Sequence, residues 1–189
     1  MKIDGEWTAG LILDWHMDHS TYLGDDPSGR PQFDNVRTEI GESIYLLKYS
    51  GDLTKVSELA KTMADAIKTT FPSISYIVPV PPSKSRKAQP AILMAKKVAE
   101  LLEIPIFENI LLKNGATLQM KDIDSKKEKM EALKACFHIN DEITTEGAWD
   151  VLIIDDLYSS GASLSVATQK MKTYTKAKNI YVAAFSRTK

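Results

Sequence analysis

The sequence predicts an α/β protein built on a mostly parallel central sheet, preceded by a small N-terminal lid. Two observations carry this prediction. From Leu53 onward, short apolar runs rich in β-branched residues alternate with segments whose apolar residues recur every three to four positions, the strand and helix alternation of a parallel sheet. Near the C-terminus, the apolar run Val151-Leu152-Ile153-Ile154 is followed at once by two carboxylates, a Ser- and Gly-containing turn and another helical stripe. Open α/β sheets place such an arrangement at the carboxyl edge, where they bind ligands. The chain has 189 residues, 43% hydrophobic and 26% charged, which excludes intrinsic disorder, collagen and coiled coil. At this length folding buries about 70% of the surface of the unfolded chain, enough for one core and a small appended subdomain.

Taken in order, Trp7 to His16 reads as a strand. Ser20 to Asn35 reads as a polar connection holding Asp25, Asp26, Pro27, Ser28, Gly29 and Pro31, and Ile44 to Tyr49 as a second apolar run. Residues 1–50 are therefore expected to form a β-rich lid or edge element, with the core spanning 51–189. Val56, Leu59, Met63, Ile67 and Phe71 lie on one stripe of a helix that Pro72 ends. Ile74 to Val80 reads as a strand, Pro81 to Gln89 as a polar turn, and Ile92, Ala95, Val98, Ala99 and Leu102 as one face of the next helix. Ile104 to Leu112 reads as a strand. Asn114 to Lys129, with seven charged residues, reads as a loop running into a solvated helix. Asp150 to Asp155 is a strand, Gly161 to Tyr174 a helix with Leu164, Ala167, Met171 and Tyr174 in phase, and Ile180 to Phe185 the last strand.

Twenty-four basic residues against 25 acidic ones leave a net charge of -1, too little global field to hold nucleic acid or an anionic membrane. No apolar stretch approaches the roughly 18 residues a membrane helix needs, and the N-terminus lacks a basic region followed by an apolar run. The cytoplasm is the expected location. The single cysteine, Cys136, excludes an internal disulfide and a cysteine zinc cluster, and its apolar neighbours read as core packing.

The segment from Val151 to Leu164 carries the chemistry. Asp155 and Asp156 follow the apolar run, and the turn that opens the helix offers backbone N–H groups, the positive end of the helix dipole and the hydroxyls of Ser159, Ser160 and Ser163 to a phosphate. Gly161 permits close backbone approach. Taken singly, the aspartates could simply end a strand and Ser159 cap a helix. Their ordered combination points to a ligand with a phosphate and vicinal hydroxyls, a ribose 5-phosphate.

This segment resembles the phosphoribosyl-diphosphate (PRPP) binding motif of the type I phosphoribosyltransferases, with Ser where Thr is commoner. The resemblance implies a central parallel sheet with helices on both faces and an N-terminal hood. It also implies that Asp155 and Asp156 hold the ribose hydroxyls and that Ser159, Ser160, Gly161, Ala162 and Ser163 bind the 5-phosphate. Upstream, Ile77-Val78-Pro79-Val80-Pro81-Pro82-Ser83-Lys84-Ser85-Arg86 resembles the pyrophosphate loop of the ComF-like competence-protein branch, which implies that Ser83, Lys84 and Arg86 bind pyrophosphate. Lys84, Arg86 and Lys87 beside a turn suit a diphosphate, although three basic residues in a loop are, taken alone, more often a plain solvated surface. Arg37-Thr38-Glu39, Gly41 and Leu47-Lys48-Tyr49, together with Lys113, Gln119, Lys129 and Phe137, extend the resemblance. Two features depart from that branch. The four-cysteine zinc element is absent, and Lys87-Ala88-Gln89-Pro90 replaces the usual Arg-Gly-Phe-Asn.

The resemblance implies a PRPP-dependent glycosyltransferase that passes ribose 5-phosphate to a nitrogen base, with Mg²⁺ bound through PRPP rather than by a protein ligand set, and Asn114 to Lys129 closing over the site. A homodimer is in keeping with the fold. The alternative is a non-catalytic PRPP or nucleotide sensor regulating a partner protein or nucleic acid, with a link to DNA uptake resting only on the ComF branch. Elsewhere, Asp14, His16, Asp18 and His19 could offer metal ligands but read as a polar edge or base-pocket part of the lid. His138 reads as a packed histidine. Lys126, Lys127 and Lys129 read as a solvated helix face.

Overall fold

Alternation along the chain decides which side chains meet the core. In the computed structural model, which describes residues 1–82, 89–114, 131 and 133–188, the strands are β1 (Lys2–Ile3), β2 (Ala9–Trp15), β3 (Met17–Asp25), β4 (Pro31–Arg37), β5 (Tyr76–Pro79), β6 (Leu111–Lys113), β7 (Phe137–Ile139), β8 (Trp149–Tyr158) and β9 (Ala177–Arg187). The helices are α1 (Glu39–Tyr45), which continues as a π-helical turn over Leu46–Ser50, then α2 (Thr54–Thr70), α3 (Pro90–Leu102) and α4 (Ala162–Met171).

Five strands form one sheet in the order β1-β2-β9-β8-β5, parallel throughout except for the antiparallel edge strand β1. The chain passes from β5 to β8 and from β8 to β9 through helices, as parallel strands require. Val151 and Ile153 of β8 pack with Val182, Ile12, Leu164, Ala167, Met171 and Phe137 on one face. Leu152 and Ile154 pack with Tyr181, Leu59, Met63, Ile67, Met94 and Val98 on the other. All four β8 residues are fully buried, which is why this strand reads as a continuous apolar run. The α2 stripe is buried as its spacing predicts, through Leu59, Ala60, Met63, Ala64 and Ile67.

Several expectations need correction. Residue 50 does not mark where the core begins, because β1 and β2 belong to the central sheet and β2 runs parallel to β9. The polar connection Ser20 to Asn35 is a hairpin in which β3 pairs antiparallel with β4. Its turn is organised by Asp26, whose carboxylate accepts from the backbone N–H of Ser28 and Arg30 and from the Ser28 hydroxyl, with Gly29 at φ 77°. The run from Ile44 to Tyr49 is helical. Thr38 caps α1 by accepting from the Gly41 N–H at 3.0 Å, and Glu39 and Glu42 stand in the first turn, signals that outweigh the apolar run. Between Ile104 and Leu112, only a bridge from Ile106 to Ile77 and the start of β6 at Leu111 are strand-like. His138 is exposed, since the two-stranded β6–β7 sheet buries Phe137 and turns the next side chain outward. Cys136, just before β7, is partly exposed.

Candidate active site at the carboxyl edge of the sheet

β8 does not stop at its apolar run. It continues through Asp155 and Asp156 to Tyr158, paired with β9 as far as Arg187. The two carboxylates therefore belong to the strand itself, and both side chains line the same cleft at its end. Asp155 Oδ1 accepts from the Asp156 N–H at 2.8 Å. Burial, reinforced by the neighbouring Asp156, holds the Asp155 carboxyl well above the usual carboxylate range. Asp156 has a different environment, with its Oδ2 2.7 Å from Lys48 Nζ and the two side chains only 18% and 14% exposed.

The turn after β8 leaves Ser159 and Ser160 exposed and Gly161 buried at φ 75°. No side chain caps α4 in the usual way, and Ser160 Oγ accepts only a long 3.4 Å bond from the Ala162 N–H. The first turn of α4 thus presents backbone donors at the positive end of its dipole. A Cβ on Gly161 would stand 2.6 Å from the Tyr158 hydroxyl, so both the torsion and the space call for glycine. Ser159 to Ser163 surround a small hollow beside Asp155. Next to it lies a cleft of about 290 Å³, lined by Lys48, Pro81, Pro82, Gln89, Asp155 and Asp156 among others. The structure thus brings Asp155, Asp156 and Ser159 to Ser163 together. Ser83, Lys84 and Arg86, with Lys87 and the segment 115–130, lie outside the described residues.

Sequence reasoning missed Lys48 as a site residue. The available signal was a lysine set inside an apolar run, since buried charges are almost always paired. Its neighbourhood is a charged rim. His16 Nδ1 lies 3.0 Å from Ser186 Oγ, and burial, then Lys48 and Arg37, hold the imidazole below its ordinary range. Arg37 donates to Glu42 at 3.2 Å and stacks 3.7 Å from the Tyr45 ring centroid, while Arg187 lies over Trp15 at 4.7 Å. Lys113, set 5.6 Å from the Phe137 ring centroid, has its amine pulled below the usual lysine range by burial, partly offset by Cys136 and Asp155.

The Asp14, His16, Asp18 and His19 side chains do not converge. Asp14 accepts from the Trp15 N–H, His16 turns to Ser186, and Asp18 meets His19 in solvent. Among the described residues no three metal-ligating side chains gather. The donor set at the cleft, one carboxylate held by a lysine and one by its neighbour's N–H, consists of oxygens of the kind a divalent cation takes.

The fold is that of the type I phosphoribosyltransferases: the chain aligns with the APRTase of Giardia lamblia, solved with 9-deazaadenine, at a TM-score of 0.50 and 15% identity, over 89% of this chain and 81% of that one. The adenine phosphoribosyl transferase of Trypanosoma brucei aligns at 0.47 and 12% identity, over 87% and 62%. By sequence the chain is related to the competence protein ComFC of Bacillus subtilis (strain 168), 26% identical over 141 residues. That match covers 74% of this chain and 56% of ComFC, so the chain spans little more than half of its relative. No protein-family model matches. No helix among the described residues is long and apolar enough to cross a membrane.

Proposed function

We propose that this chain is a phosphoribosyltransferase that uses PRPP to transfer ribose 5-phosphate to a nitrogen base, releasing pyrophosphate. The observation that carries the reading is the contiguity of the β8 carboxylates with the open N-terminus of α4 across Gly161. A ribose 5-phosphate can be gripped there at both ends. The 5-phosphate receives the α4 backbone donors and the hydroxyls of Ser159, Ser160 and Ser163. Asp155 and Asp156 take the ribose hydroxyls, and Asp155, held toward its protonated form, can donate to one of them. Lys84 and Arg86 follow Pro81 and Pro82 in the chain, and those prolines line the cleft. The two basic residues are assigned to the pyrophosphate, whose negative charge grows as the glycosidic bond breaks. Mg²⁺ carried by PRPP would neutralise leaving-group charge, with Asp155 and Asp156 as the protein oxygens beside it.

Thermal unfolding with Mg²⁺ and saturating PRPP tests the reading. At 100 times the dissociation constant, binding adds about 2.7 kcal/mol, which raises Tm by about 5–10 °C at this size. The shift is expected in the wild type and absent in Asp155→Asn/Asp156→Asn. No shift in either protein at millimolar PRPP would refute it.

The relation to a competence protein favours one second reading, a PRPP or nucleotide sensor on the same site that regulates a partner. A screen of nitrogen bases for PRPP-dependent pyrophosphate release separates the two. Release identifies the enzyme and its acceptor, whereas a PRPP-induced Tm shift without release from any base identifies the sensor.

A further inference from the structure

Lys48 is the cleft residue that the proposed chemistry leaves without a task, and its placement is strongly determined. It stands on the π-helical turn Leu46–Ser50 that ends α1, a rare geometry that recurs at functional sites. That turn is anchored on several sides. Leu47 is fully buried, the Tyr45 and Tyr49 rings pack with centroids 4.8 Å apart, and Gly51 ends the turn at φ 68°. From there the ammonium reaches across the cleft to Asp156 at 2.7 Å, where both side chains are largely withdrawn from water. A divalent ion sits about 2.1 Å from a carboxylate oxygen, so on Asp156 Oδ2 it would be no farther than about 5 Å from the ammonium, with little water to screen the two like charges.

We propose that Lys48 is the resident counter-ion of the acidic edge: it keeps a lone divalent cation off Asp156 and admits one only in company with a diphosphate, whose oxygens give the ammonium a new partner. Lys48 is thus a positioning residue that couples metal entry to substrate entry. The inference rests on the reading of this edge as a PRPP site, but its test does not need PRPP.

Mn²⁺ binding to the full chain, followed by the electron paramagnetic resonance signal of the free ion, reads it directly. Lys48→Met is expected to bind Mn²⁺ at least about tenfold more tightly than the wild type. Lys48→Arg should stay at the wild-type level, and Lys48→Met/Asp156→Asn should return to it. Equal Mn²⁺ affinity in Lys48→Met and wild type overturns the proposal, and so does a gain in Lys48→Arg. A second arm uses the wild type alone and stands even where Lys48→Met does not fold. Inorganic pyrophosphate should bring Mn²⁺ into the wild type at an ion concentration at which Mn²⁺ alone is not taken up. Wild-type binding of bare Mn²⁺ that Asp156→Asn abolishes overturns the proposal, as does failure of pyrophosphate to recruit the ion. Absence of the PRPP-induced Tm shift alongside the expected Mn²⁺ results would refute PRPP as the ligand and leave the role of Lys48 standing. The converse pattern would refute Lys48 alone.

Discussion

The two walls of the cleft are built on opposite principles. The β8–α4 wall is a contiguous stretch, residues 155–163, that offers mostly backbone donors and neutral hydroxyls and depends on one left-handed glycine. The facing wall is assembled from α1 and its π-helical turn packed against the end of β2, and it offers charged side chains, Lys48 above all. Each wall turns on a glycine for a different reason. Gly161 supplies a torsion, whereas Gly41 supplies space, since a Cβ there would meet the backbone oxygen of His16 at 1.9 Å. The comparison teaches that a backbone-built wall keeps its geometry through local conformation, while a side-chain wall keeps it only as long as two elements stay in contact.

The largest expected effect is on the packed wall. In Gly41→Ala the new methyl group meets fixed backbone, so α1 must shift away from β2, at a cost of about 3 kcal/mol measured by urea denaturation. The same shift should carry Lys48 off Asp156 and raise Mn²⁺ affinity as Lys48→Met does. An unchanged urea midpoint would show that α1 is not fixed by this contact. Next comes the local wall. Gly161→Ala retains the fold but forces a side chain into the left-handed region against Tyr158, costing about 2 kcal/mol and abolishing the PRPP-induced shift in Tm.

Asp156→Ala leaves the Lys48 ammonium, largely withdrawn from water, without its partner and should cost about 2 kcal/mol, less than for a fully buried pair because both groups keep some exposure. The double variant Lys48→Met/Asp156→Ala should recover most of that loss, so the double-mutant cycle gives a coupling of about 1 kcal/mol or more. Strict additivity would mean that the pair is incidental.

The smallest effect is a change of slope. Because the Asp155 carboxyl titrates above its unfolded value, the folded protein holds that proton more tightly. The stability it contributes is complete below the ordinary carboxylate range and is lost as pH rises toward the elevated value. Asp155→Asn should therefore flatten the fall of Tm on the alkaline side of the carboxylate range and equal or exceed the wild type there. A steeper fall in the variant would place the high-titrating proton elsewhere.

Much of this protein was legible in its sequence because the information was local. A strand buried on both faces has to be an unbroken apolar run, so Val151 to Ile154 announced an interior strand of the sheet, and the adjoining aspartates, serines and Gly161 form the candidate site through residues next to one another. The α2 stripe was equally plain, because one helix face carries its own period. The hairpin was not, since β3 and β4 are exposed on both faces and bear no alternation to read. Nor was the helical state of Ile44 to Tyr49, where capping by Thr38 prevailed over an apolar run.

Sequence by itself thus determined the parallel α/β core, the acidic pair and the serine- and glycine-containing turn, because each follows from side-chain periodicity or local backbone chemistry. Only the tertiary structure decided that β2 joins the central sheet, that the two adjacent carboxylates face different surroundings, and that Lys48, more than a hundred residues away in the chain, lies against one of them. Those outcomes depend on which elements pack together. A pairing between Lys48 and Asp156 leaves no period or motif in either segment.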